Sequence, residues 1–384
     1  MKKIVKTIVV VLIALFAVIY ISDYRYLLSA IGKIYLTGHT TAYLDDYKRF
    51  DNRTVAIGTP QPWPLHEQYN KMEASESLEQ YHANTGTIGF LVIQNDSIFY
   101  EKYYEGYGVD SNTNSFSMAK SMVSALLGKT IMQGHIASLD QPVKDFIPEL
   151  QGAYANEVTV GDLSSMASGM VWDESYYSAF SVTTASYFKE DLATLILEQP
   201  IDIEPGKAYF YKSGATQLLG MVIQNATGKT LSEYLSESFW QPMGAEDEAY
   251  WQLDSKKHGL EKAYCCFASN VRDFARFGKL YKDHGKWGDE QVLDSTFVAI
   301  SLKPRFEESP EYGYGWWLET YKGNDVFMMR GHLGQYVIVF PEKNIIAVRL
   351  GHSKGKALED NPFTEDIYVY MDAALEMTGH AAAD

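Results

Sequence analysis

Asn114-Ser115-Phe116-Ser117-Met118-Ala119-Lys120-Ser121-Met122-Val123 runs without a break into Ser124-Ala125-Leu126-Leu127. The second half of this stretch is good helix-forming sequence. With Ser117 in the first turn, Lys120 falls three residues on, on the same helix face and within reach of the serine side chain. A serine placed there also has the free N–H groups of the helix start around it and the positive end of the dipole beside it. Those are the conditions for a nucleophilic serine activated by a neighbouring amine. A bare Ser-x-x-Lys arises by chance about once in a chain of this size. Ser353-Lys354-Gly355-Lys356 is a second instance, but Gly355 and its lysine-rich setting argue against a buried helix start there. The surroundings of Ser117 therefore have to decide.

On the N-terminal side, Thr87 to Ile93 (TIGFLVI) reads as a strand, Gln94-Asn95-Asp96-Ser97 as a turn, and Ile98 to Tyr104 as its partner. On the C-terminal side helical patterns fill the middle of the chain. Ala215 to Ile223, residues 231–240 and Val271 to Leu280 carry apolar residues at helical spacing, and an aromatic loop with Trp172, Tyr176 and Tyr177 runs from about 169 to 192. Strands return at Val326 to Met329, Gln335 to Phe340 and Ile345 to Leu350, and a terminal helix spans about Thr364 to Met377. Strands near both ends with helices between them predict an α+β fold. Its antiparallel sheet is completed by both chain ends, flanked by helices, with a helical subdomain at about 135–285. The order is not the βαβ alternation of a doubly wound fold, and no G-x-S-x-G elbow is present.

The first residues form a separate unit. Lys2, Lys3 and Lys6 precede an uncharged apolar run from Thr7 to Ile21, the pattern of a secretory signal or a signal anchor. No small-x-small cleavage site closes the run, so an uncleaved transmembrane anchor is expected over residues 1–22, with cleavage and secretion as the alternative. Lysines ahead of the span keep the N-terminus inside, which in a bacterium puts the body in the periplasm, held by a single pass of the inner membrane. Residues 23–76, with Thr-Pro-Gln-Pro-Trp-Pro at 59–64, read as a linker packed on the body, and 77–384 as the functional domain. The net charge of −16 opposes nucleic-acid binding, which needs a basic face. Cys265 and Cys266 are adjacent and cannot supply a disulfide framework or a zinc cluster; they are expected as small buried apolar groups.

Three pieces now stand in order: Ser117-Met118-Ala119-Lys120, Tyr211-Lys212-Ser213 and His332-Leu333-Gly334. In this order they resemble the serine β-lactamase/penicillin-binding-protein superfamily in its class C-like branch, which carries S-x-x-K, then Y-x-N or Y-x-S, then K-T-G or H-x-G. Pro205-Gly206, Leu218-Leu219-Gly220, Met166-Ala167-Ser168-Gly169 and Tyr312-Gly313-Tyr314-Gly315-Trp316-Trp317 resemble the flanking text of that branch. The resemblance covers roughly residues 75–380 and is nearest to the esterase and 6-aminohexanoate-dimer hydrolase group. It implies a β-lactamase/transpeptidase-like fold and an acyl-enzyme on Ser117, with Lys120 and Tyr211 moving protons and no cofactor. It further implies an oxyanion hole from the backbone N–H groups of Ser117 and Gln335. His332, Gly334, Ser213 and Tyr177 are the candidate substrate contacts.

One departure bears on substrate. Where β-lactamases carry lysine in the third motif this chain has His332, which is mostly uncharged near neutral pH and a poor holder of a carboxylate. A small-molecule ester or amide without an obligatory carboxylate is therefore the expected substrate, rather than a β-lactam or a D-aminopeptidase substrate. Two other classes are a catalytically silent, membrane-tethered peptide-binding module and a metallohydrolase. The intact Ser117, Lys120 and Tyr211 oppose the first, and the missing H-E-x-x-H pattern opposes the second.

Overall fold

A computed structural model describes residues 1–380 of the chain. Helix α1 (Lys2–Ile21) is apolar and long enough to cross a membrane, and its most apolar stretch buries nothing against the body. It passes through a short turn into α2 (Tyr26–Lys33), which lies on the body with Tyr26 and Ala30 buried. The following stretch also packs inward. Leu44, Tyr47, Phe50, Val55 and Trp63 are buried, and Asn52–Val55 pairs antiparallel with Ala249–Gln252.

Helix α3 (Glu76–Thr85) is capped by Ser75, whose hydroxyl accepts from the Leu78 N–H, and ends on left-handed Gly86. Strands β1 (Thr87–Gln94) and β2 (Ser97–Tyr103) follow, then α4 (Ala119–Met132), which is buried along nearly its whole length. The middle of the chain supplies α5 (Val182–Phe188), α6 (Ser213–Thr227) and α7 (Val271–Lys282). The late strands are β3 (Trp317–Tyr321), β4 (Asn324–Gly331), β5 (Gln335–Phe340) and β6 (Ile345–Gly351), followed by α8 (Glu365–Met377).

The six strands form one antiparallel sheet in the order β2-β1-β6-β5-β4-β3, so β1 from the early chain pairs with β6 from the late chain. Both faces are covered, and the two-residue period of the strands splits two cores. Leu91, Ile93, Val337, Val339, Ile346 and Val348 face the larger one, with α4 and α7. Phe90, Val92, Ile338, Phe340 and Ala347 face the smaller one, with α3 and α8.

Three features differ from the expectation. A second sheet of very short strands, in the order Asn52–Val55, Ala249–Gln252, Phe267–Ser269 and Thr113–Asn114, carries no alternation to announce it. The aromatic loop contains α5, which starts on a Ser181 cap. Cys265 and Cys266 are buried, as expected of small apolar groups, but they are also joined in a disulfide. Cys266 has a φ of +71°, a local turn that residue spacing alone does not disclose.

Candidate active site

Ser117 lies in a single 3-10 turn, Phe116–Met118, that leads directly into α4. Lys120 is buried on the first turn of α4, and its Nζ donates to Ser117 Oγ at 3.0 Å and to the Tyr264 carbonyl oxygen at 2.8 Å. Burial disfavours the ammonium form and brings the Lys120 pKa down to about 8, against the opposing pull of the Glu174 carboxylate. The Lys120 ammonium also lies 5.0 Å from the centre of the Tyr211 ring. Burial pushes the Tyr211 phenol up from its ordinary value and Glu174 adds to this, while Ser117 and Arg330 act the other way. Tyr211 is backed by an aromatic shelf, with its ring centre 5.7 Å from that of Trp317 and 6.3 Å from that of Tyr312. Both come from the Tyr312–Trp317 motif. The same motif braces α4, because Ser121 and Ser124 donate their hydroxyls to the carbonyls of Gly315 and Tyr314.

The segment ahead of the serine is held under strain. Phe116 has a φ of +47°, a conformation that costs a bulky residue roughly 1–3 kcal/mol. Its N–H donates to Asn114 Oδ1 at 2.9 Å. Asn114 is held in turn by Asp46, whose Oδ1 accepts from Asn114 Nδ2 at 3.0 Å and from Gln252 Nε2 at 3.2 Å. Asp46 Oδ2 accepts from the Tyr187 hydroxyl at 2.7 Å. A carboxylate from the N-terminal part of the chain thus supports the backbone at Ser117.

His332-Leu333-Gly334 forms the turn between β4 and β5, where Gly331 pairs with Gln335. Gly331 is required for close approach: a Cβ there would collide with the Ser115 carbonyl oxygen, so the end of β4 sits directly on the segment that carries Ser117. Gly334 has a φ of +83°, and a Cβ on it would run into the Arg349 guanidinium. Its small size makes room for that arginine, a structural reason apart from the substrate contact expected of it. Arg349 donates to the carbonyls of Leu333 at 3.1 Å and Gly334 at 2.8 Å, and Gln335 Nε2 donates to the His332 carbonyl at 3.0 Å. The turn is therefore fixed from two sides. Desolvation, with Lys354 nearby, lowers the His332 pKa to about 4, so the ring is neutral at pH 7. His332 Nε2 is buried with no hydrogen-bond partner among the described residues. The ring lies against Phe116, Tyr176 and Tyr177.

Ser213 starts α6, and its N–H and hydroxyl both donate to Glu174, at 2.7 and 2.6 Å. Tyr176 donates to the same carboxylate. Glu174 thus ties the aromatic loop to α6, and no motif in the sequence marks it. Ser117, Ser213, His332 and Tyr177 all line one cavity of about 300 Å³, with Tyr177 on its rim, 80% exposed. Sequence reading passed over Asp46, Asn114, Glu174 and Arg349. The one available signal was polar residue types in otherwise apolar surroundings, since buried polar groups need partners.

A 6-aminohexanoate-dimer hydrolase of Paenarthrobacter ureafaciens is 25% identical over 323 residues, spanning 77% of this chain and 81% of that one. A solved structure from Bacillus anthracis, provisionally named a 6-aminohexanoate-dimer hydrolase, superposes with a TM-score of 0.72 at 20% identity, over 88% of this chain and 93% of that one. The D-amino acid amidase of Ochrobactrum anthropi superposes with a TM-score of 0.59 at 17% identity, over 80% of this chain and 98% of its own. At these identities the solved structures speak to the fold. The family model described as Beta-lactamase matches residues 75–367, a span that takes in Ser117, Lys120, Tyr211 and His332, and the chain belongs to that family of serine hydrolases.

Proposed function

We propose that this serine hydrolase cleaves an ester or amide bond through a covalent acyl-enzyme on Ser117, with Lys120 as the acylation base. The observation that carries this is the 3.0 Å hydrogen bond between Lys120 Nζ and Ser117 Oγ, in a setting where the lysine pKa is about 8. A neutral amine is then populated at mildly alkaline pH, and it accepts the serine proton as Oγ attacks the carbonyl carbon. The backbone N–H groups of Ser117 and Gln335 hold the oxyanion. Tyr211, whose raised pKa keeps it protonated, is the donor to the departing oxygen or nitrogen. Water then attacks the acyl carbon and gives its proton to the Tyr211 phenolate, the Lys120 ammonium returns a proton to Ser117 Oγ, and the products are a carboxylic acid and an alcohol or amine.

Neutral His332 favours a substrate without an obligatory carboxylate. The relative named for hydrolysis of 6-aminohexanoate dimers supports an amide bond as the scissile bond. Helix α1 is assigned as an uncleaved single-pass anchor of a bacterial inner membrane, with the body in the periplasm. The test is a panel of short nitrophenyl esters, β-lactams, D-amino-acid amides and 6-aminohexanoate oligomers, run on wild type and Ser117→Ala, with fluorophosphonate labelling of Ser117. Hydrolysis that survives the substitution refutes the mechanism, and cephalosporin turnover far above that of the short ester refutes the substrate assignment.

A further inference from the structure

The cavity at Ser117 has a second wall that the catalytic chemistry does not use. Leu27, Ala30 and Ile31, on one face of α2, and Ile34 at its C-terminal cap line it, at positions i, i+3, i+4 and i+7. An amphipathic helix normally turns that stripe to a packed core. Here the stripe is shared: Ala30 and Ile34 are buried and Leu27 packs partly inward, while the same residues and the half-exposed Ile31 border the cavity that reaches the nucleophile. The helix is fastened over the site, because Tyr26 donates its hydroxyl to the Ala179 carbonyl at 2.9 Å, and Tyr24 packs edge-on against Phe180 at 5.4 Å. Around the cavity and the segments that form it, large apolar side chains stand in the open: Leu36 is 79% exposed, Phe180 68% and Ile31 43%. Exposed apolar side chains on these segments leave them suited to meet apolar material. Helix α1, apolar and unburied, ends at Ile21, only a short turn before α2 begins.

Tyr211, the donor to the leaving group, does not line this cavity, whereas Ser117 and His332 do. The leaving group therefore departs on the Tyr211 side, and the cavity is left to the acyl portion. We propose that the α2 cavity takes the hydrocarbon acyl chain of a lipid-like ester or amide drawn from the bilayer that holds α1. This rests on the serine mechanism proposed above and names its substrate class. The chemistry is unchanged: the acyl chain is transferred to Ser117 Oγ, the alcohol or amine leaves protonated, and water releases the fatty acid.

The full-length chain, reconstituted in phosphatidylcholine vesicles, is assayed with nitrophenyl acetate, butyrate and octanoate. Full burial is worth about fourfold per methylene, so kcat/KM for octanoate is expected to exceed that for acetate at least about tenfold even with partial burial. Ile31→Glu brings that ratio down towards one, and Ile31→Leu keeps it. To separate the bilayer from free solution as the source, a fluorogenic long-chain ester is placed either in the protein's own vesicles or in separate protein-free vesicles. Consumption only in the shared bilayer is the expected result. Equal rates in the two arrangements overturn delivery from the bilayer. Ser117-dependent acetate turnover with no gain from chain length overturns the acyl cavity and leaves the serine mechanism standing. Turnover of all esters that persists in Ser117→Ala overturns both.

Discussion

The two walls of the cavity are built by different physics. The wall that carries Ser117, Lys120 and His332 is held by hydrogen bonds from distant parts of the chain. Tyr264 supplies the carbonyl under Lys120, Asp46 acts through Asn114, and Arg349 pins the His332 turn. The wall made by α2 and the aromatic loop is more apolar and partly exposed; Tyr26 fastens α2 to the Ala179 carbonyl, and Glu174 fastens the loop to Ser213. Reacting groups need fixed distances, and buried hydrogen bonds supply them because leaving one unmade is costly. A hydrocarbon chain needs only a dry surface of suitable shape, which packing supplies and which tolerates substitution. Substitutions on the first wall should therefore act on the chemical step, and those on the second on substrate preference.

The largest expected effect is at Ser117 and Lys120. Ser117→Ala or Lys120→Met lowers kcat by on the order of 10⁴-fold or more, read in single-turnover assays with a nitrophenyl ester. In wild type the rate rises as pH increases through about 8, because the neutral amine is the active form; this inflection is absent in Lys120→Met. Stability carries the same signature. Lys120 has a folded pKa below its ordinary value of 10.5, so between about 8 and 10.5 the unfolded chain binds more protons and stability increases with pH. Denaturant titrations of wild type and Lys120→Met across that window test this.

Tyr211→Phe is expected to cost roughly 10²-fold on an amide substrate and much less on a nitrophenyl ester, whose leaving group departs without a proton. Equal losses on both would remove Tyr211 from the donor role. Asp46→Asn places an amide donor among the groups that donate to Asp46, and should destabilise the fold by about 1–3 kcal/mol in urea. Because Asp46 acts through Asn114 on the strained Phe116, kcat should fall while KM stays near its original value. Tyr177→Ala is the smallest change. Stability should move by no more than about 0.5 kcal/mol, as expected for an exposed side chain, with only a modest loss of long-chain preference.

Much of the scaffold is legible in the residue order. Five strands of the main sheet announce themselves because they are apolar runs bounded by turn residues, whereas β3, mixed in polarity and partly exposed, does not; Ser117 and Lys120 meet because three residues of helix bring them to one face. The short second sheet is not legible, since its strands are two to four residues long and mixed in polarity. Asp46, Glu174 and Arg349 escape for another reason. Their partners at Asn114, Ser213 and Gly334 lie 68, 39 and 15 positions away, and nothing local marks the pairing.

By itself the sequence determined the periodic elements, the apolar N-terminal segment and the order of the three motifs, because each depends on near neighbours along the chain. The tertiary structure alone decided how deeply Lys120 is buried, and so which form of its amine the site holds. It also decided that Phe116 is strained against Asn114, and that one face of α2 opens onto Ser117. Burial, strain and the shape of a cavity depend on what other segments contribute to a given point in space, and chain spacing does not carry that information.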